Sequence, residues 1–198
     1  LAIVEAPVYD DPDFLARLAA AVRTVRVGWG ADPATIMGPL IAPPGPNLER
    51  ALTMLDPGER WLVEPRQLDD TGRLWSPGVR ADVRPGSWFH RTECFGPVLG
   101  LIRADDLDHA LALQSATPYG LTAGLHTQDP GDLAQWLAEV DAGNLYVNRG
   151  ITGAIVQRQP FSGWKRSSVG PGTKAGGPNY LIGLGSWRAV SGGAPSST

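Results

Sequence analysis

Between Pro97 and Asn148 apolar runs and amphipathic runs alternate, and this alternation restricts the possible folds more than any other feature of the chain. Pro97–Ile102 (PVLGLI) is apolar and short, which predicts a buried strand. Asp105–Ser115 carries Leu107, Ala110 and Leu111 at helical spacing, and Leu121–His126 returns to strand composition. Asp129-Pro130 then opens a helix with Leu133, Trp136, Leu137 and Val140 on one face, since Asp before a first-turn Pro is a strong start signal. Asn144–Asn148 (NLYVN) closes the series as a strand. Strands separated by single helices run parallel through right-handed crossovers. The expected fold class is therefore α/β, a largely parallel sheet flanked by helices.

The remaining segments are less regular. LAIVEA at the start reads as a short buried strand. Phe14, Leu15, Leu18, Val22 and Val25 then mark a helix. Residues 28–46 hold too many Gly and Pro for anything but loop, and Asn47 is placed to cap a short helix reaching Met54. Trp61–Glu64 and Val79–Val83 read as strands. After Asn148 a long loop region follows, whose Ile155, Phe161 and Trp164 argue for a functional loop. Tyr180–Leu184 is expected as an edge strand. Residues 1–188 are expected to form part of one domain, and 189–198 a flexible tail.

Composition removes several function classes. The 198 residues carry 17 Lys+Arg against 20 Asp+Glu, a net charge of −3, which argues against nucleic acid or an anionic membrane as main partner. One Cys excludes an internal disulfide framework and an all-cysteine zinc site. No apolar run approaches the roughly 18 residues of a membrane span, and no signal peptide opens the chain, so a soluble, cytoplasmic protein is expected. The chain starts without Met on an apolar run, which reads as a piece of something longer.

Chemistry is sparse when read from the residues alone. Gly170–Ala175 has the spacing of a dinucleotide fingerprint, but Gly176, Gly177 and Pro178 prevent the helix which that fingerprint needs. His90, His109 and His126 show no metal-ligand spacing, and no Ser sits in a GxSxG elbow. Cys94, flanked by Glu93 and Phe95, lacks the electropositive setting of a nucleophile, and those neighbours are expected to raise its pKa.

Three strings carry the reading further. Glu93-Cys-Phe-Gly-Pro97 resembles the E-x-F-G-P motif of the aldehyde dehydrogenase superfamily, Gly143-Asn-Leu-Tyr-Val-Asn148 its G-x-x-x-x-N strand, and Pro160-Phe-Ser-Gly-Trp-Lys165 its P-F-G-G-x-K loop. Thr152-Gly-Ala-Ile-Val156, Gln159-Pro-Phe161 and Lys174-Ala-Gly-Gly-Pro178 are similar to one branch. That branch is the L-glutamate γ-semialdehyde (Δ1-pyrroline-5-carboxylate) dehydrogenases, found alone or fused to proline dehydrogenase in proline utilization A. The resemblance covers residues 1–188. Ser162 and Ser168 stand where the family has glycines, and Gln157-Arg158 where the branch often has a Gly and an apolar residue.

The resemblance implies the C-terminal part of an NAD-dependent catalytic domain that oxidises L-glutamate γ-semialdehyde to L-glutamate in proline catabolism. Its nucleophilic Cys lies upstream of Leu1, so no catalytic residue is expected here, and Cys94 takes the variable place of E-x-F-G-P. The implied cofactor-binding residues are Glu93, on the nicotinamide ribose, and Phe95; the implied substrate-binding residues are Gly153, Ala154 and Phe161. No metal is implied, and FAD only where proline dehydrogenase is fused upstream. The implied partners are a small-molecule substrate, the missing N-terminal part of the polypeptide, and further copies in a homo-oligomer. The alternative is a non-catalytic structural or assembly domain resembling aldehyde dehydrogenase within a larger proline-utilisation protein.

Overall fold

Proline and aspartate start most of the long helices. The computed structural model describes residues 1–153, 159–169, 174–177 and 179–191. Strand β1 (Ala2–Glu5) runs directly into the single-turn α1 (Ala6–Tyr9), and α2 (Pro12–Arg23) follows with Asp11 accepting the Asp13 N–H at 2.9 Å. Helix α3 (Pro46–Thr53) corrects the capping expected of Asn47. Pro46 takes the first turn and Gly45 the cap position without a side-chain bond, because proline's fixed φ starts the helix earlier. Strands β2 (Arg60–Val63) and β3 (Gly78–Ala81) lead to the short α4 (Trp88–Arg91), absent from the sequence expectation and capped by Ser87. Then come β4 (Val98–Ala104) and α5 (Leu107–Ser115), the latter capped by Asp106 at 2.8 Å from the His109 N–H.

The chain forms two compact units, Leu1–Pro118 and Tyr119–Thr198. The first holds a four-stranded sheet in the order β1-β4-β3-β2, parallel except for the edge strand β2. Its centre is β4, where neighbouring Leu101 and Ile102 point to opposite faces. Leu101 packs with Tyr9, Ala19, Val63 and Val79, while Ile102 packs with Ala51, Val83, Phe89, Ala104 and Leu113. A strand covered on both faces must be apolar throughout, which is why PVLGLI shows no alternation. Each fully buried Leu or Ile there contributes about 1.5–3 kcal/mol.

The second unit contains β5 (Tyr119–Gly120), β6 (Thr122–Leu125), α6 (Pro130–Glu139), β7 (Asn144–Val147) and β8 (Trp164–Lys165). β6, α6 and β7 make the expected parallel crossover unit, with Gly124 opposite Tyr146. The five-element series does not share one sheet, however. β4 has both edges occupied, by β1 and β3, so β6 and β7 pair with each other. β5 pairs antiparallel with β8 inside the expected loop region.

The expected edge strand Tyr180–Leu184 is a 3₁₀ helix. Local bonds, Ile182 N–H to Asn179 O at 3.1 Å and Trp187 Nε1–H to Ile182 O at 2.7 Å, take the groups a strand would offer to a neighbour. Of the expected tail, 189–191 is exposed and lacks regular structure, and 192–198 lies outside the described residues.

Candidate functional site

The segment Glu93–Pro97 joins α4 to β4, and its backbone is strained at Phe95, whose φ is 50°. This turn lifts the Phe95 ring out to 86% exposure, over an apolar cavity of about 560 Å³. The opposite wall is the proline-rich stretch Leu40–Leu48, and Cys94 lines the cavity beside Phe95. The Glu93 side chain is exposed at the same turn, and no ion pair among the described residues engages it.

Two arginines hold α4 in place beneath this turn. The Arg50 guanidinium lies 4.2 Å from the Trp88 ring centre and pairs with Asp56 at 2.7 Å. Arg80 lies 4.4 Å from the Phe89 ring centre and is almost completely buried in the all-buried strand β3. It pairs with the buried Glu59 carboxylate at 3.4 Å and donates to Met54 O. Burial lowers the Arg80 pKa while Glu59 and Asp56 oppose the shift; an arginine stays charged regardless. Arg80 Nε and Nη1 and Glu59 Oε1 have no hydrogen-bond partner among the described residues.

Burial pushes the Cys94 thiol up, with Arg80 opposing and Glu93 reinforcing, so burial is the main cause rather than the flanking residues. The side chain is half-buried against the core, its Sγ 3.6 Å from Thr92 O. A thiol kept protonated in this way is a poor nucleophile.

In the second unit Gly153 has φ +93°, a conformation that only glycine adopts without strain. Arg149 lies beside it, donating to Thr152 O at 3.3 Å with its guanidinium 5.0 Å from the Tyr146 ring centre. Ala154, the second residue expected to offer an amide, lies outside the described residues, as do Ile155 and 170–173 of the glycine-rich string. Phe161 pairs backbone to backbone with Ala175, at 3.0 and 3.1 Å, and leaves its ring 37% exposed. Asn148, with φ 53°, holds the 127 loop through Thr127 N–H at 3.0 Å and Thr127 O at 2.9 Å. Lys165, also at φ 53°, pairs with Asp141 at 3.0 Å.

Among the described residues four non-glycine residues have positive φ, and Phe95, Asn148 and Lys165 fall one in each of the three motifs. Strain of this kind concentrates at functional sites. Asn148 is of a residue type that favours this conformation, whereas nothing in the identity of Phe95 or Lys165 signals it. Arg80 was also missed by sequence reasoning, although a lone cation inside the apolar run GVRADV was a readable sign. His90 is buried, His109 half-buried and His126 exposed. No three His, Cys, Asp or Glu side chains converge as metal ligands among the described residues, and no helix there is long and apolar enough to cross a membrane.

The Aldehyde dehydrogenase family profile matches residues 1–187. A 1-pyrroline-5-carboxylate dehydrogenase of Geobacillus sp. (strain WCH70) is 40% identical over 182 residues, covering 91% of this chain and 35% of that protein. Among solved structures, proline utilization A from Corynebacterium freiburgense superposes with TM-score 0.91 and 54% identity, covering 99% of this chain and 20% of that one. A 1-pyrroline-5-carboxylate dehydrogenase from Thermus with bound NAD gives TM-score 0.74 and 31% identity, over 91% of this chain and 34% of that one. The chain spans about a third of the length of the curated relatives it matches.

Proposed function

The chain belongs to the aldehyde dehydrogenase family, and from this premise we propose that it forms the C-terminal part of an NAD-dependent L-glutamate γ-semialdehyde dehydrogenase of proline catabolism. The observation that carries the reading is the turn at Phe95, which raises an aromatic ring over an apolar cavity and leaves the Glu93 carboxylate exposed beside it. The residues fit a dinucleotide: an apolar wall suits a nicotinamide ring, and a carboxylate accepts hydrogen bonds from both vicinal ribose hydroxyls. When bound, NAD supplies the hydride acceptor. Glu93 orients the ribose, and Phe95 excludes water from one face of the ring. FAD belongs to this reading only if a proline dehydrogenase domain is joined to the same polypeptide.

Gly153, at φ +93°, gives the backbone the turn that an anion nest for a substrate carboxylate needs, and the Phe161 ring packs along the aliphatic chain. The nucleophile comes from outside these 198 residues, since Cys94 is half-buried with its thiol pushed up. The test is Glu93→Gln in the complete enzyme. We expect about a tenfold or greater loss in hydride-transfer rate or NAD affinity, because an amide accepts from only one of the two hydroxyls. Unchanged values would remove the assignment, and an enzyme without dehydrogenase activity would favour the assembly-domain reading.

A further inference from the structure

We propose that Asn144 is a positioning residue for Phe161, and through it a determinant of substrate selectivity; the selectivity half rests on the reading of Phe161 as a substrate wall. Asn144 opens β7 and is 1% exposed. Its side-chain amide donates twice, to Leu121 O at 3.0 Å and to Ser162 O at 2.9 Å. Leu121 O already accepts the Asn144 backbone N–H at 3.0 Å, so strand pairing does not need the side chain. What the side chain adds is the tie to Ser162, the residue that follows Phe161.

The surroundings bring that carbonyl within reach. Gly143 packs directly on the Ser162 carbonyl, and a Cβ there would overlap it. Lys174 Nζ donates to Gly143 O, and Ala175 pairs with Phe161. Asn144, Gly143 and Lys174 thus fix Phe161 from both sides, with Asn144 as the only buried side chain of the set. The other amide atom, Oδ1, is buried without a partner among the described residues. A residue present only for core stability would not leave a buried acceptor open, and an apolar side chain of the same shape would avoid the penalty. The amide is there for what its donors hold.

The experiment compares Asn144→Leu with the parent in the complete enzyme. Hydrogen exchange across 159–169 should accelerate while the β6 and β7 amides stay protected. KM for L-glutamate γ-semialdehyde should rise about tenfold or more, with KM for propanal and both kcat values within about twofold, because the smaller substrate does not reach the Phe161 wall. Unchanged exchange at 159–169 would overturn the positioning role, whatever the enzyme's substrate. Faster exchange with no change in the ratio of the two KM values would overturn the selectivity half. A general loss of protection would mark misfolding, and Asn144→Asp, equal in shape but without an N–H donor, then repeats the comparison; protection lost throughout β6 and β7 in both variants would show a general structural role and sink the proposal.

Discussion

His90 shows how a single ring can tie stability to pH. The Gly86 N–H donates to Nδ1 at 2.8 Å, so the proton sits on Nε2 and points at Leu113 O, 3.0 Å away. Burial is the largest cause that holds the folded pKa below the ordinary 6.5. Between the folded value and 6.5 the unfolded chain binds more protons, so this contribution is complete above about pH 6.5 and lost as pH falls through the folded value. The urea midpoint should therefore drop between pH 7.5 and 5.5, and His90→Gln should flatten that drop; equal slopes would refute the assignment. Asp10, held low chiefly by Arg103, and Asp69, held low chiefly by Thr71, act only in the carboxylate range, well below this window. Gly153→Val is the second test at this scale. A branched side chain at φ +93° costs about 1–3 kcal/mol of local strain and displaces the turn. In the complete enzyme KM for glutamate semialdehyde should rise well above that for an aliphatic aldehyde; equal losses would remove the carboxylate anchor.

Among the elements, β3 and α4 depend on a buried charge. Arg80 and Glu59 are both sealed from solvent, and each retains an atom without a hydrogen bond among the described residues. Arg80→Met should cost about 3–5 kcal/mol, mainly because it strands the Glu59 carboxylate. Adding Glu59→Leu should recover most of that loss, since an apolar pair of similar volume avoids desolvation altogether. Denaturant unfolding of the two single variants and the double variant decides it, and simple additivity would sink the pairing. The short α4 was not readable from WFHR: four residues carry no period, and its place comes from Ser87 capping and two arginine–aromatic contacts. Helix α6, in contrast, was readable to within a residue, because Asp129, Pro130 and the Trp136 face act locally.

At the scale of the whole molecule, the 198-residue chain should not bind NAD at micromolar concentrations. In the proposed reading Glu93 and Phe95 would contact only the nicotinamide end, so most of the cofactor's binding energy would come from elsewhere. Calorimetric titration checks this, and a micromolar Kd would refute it. The residues alone determined the crossover unit β6-α6-β7, the apolar centre of β4 and the three motifs, because local spacing and capping act within about ten residues. Only the tertiary structure decided that β4 lies between β1 and β3, that Tyr180–Leu184 coils, and that Arg80 and Asn144 are buried. Those outcomes depend on which edge and which carbonyl arrive from distant parts of the chain. Strand edges and carbonyls look the same in every sequence, and so no local pattern specifies their partners.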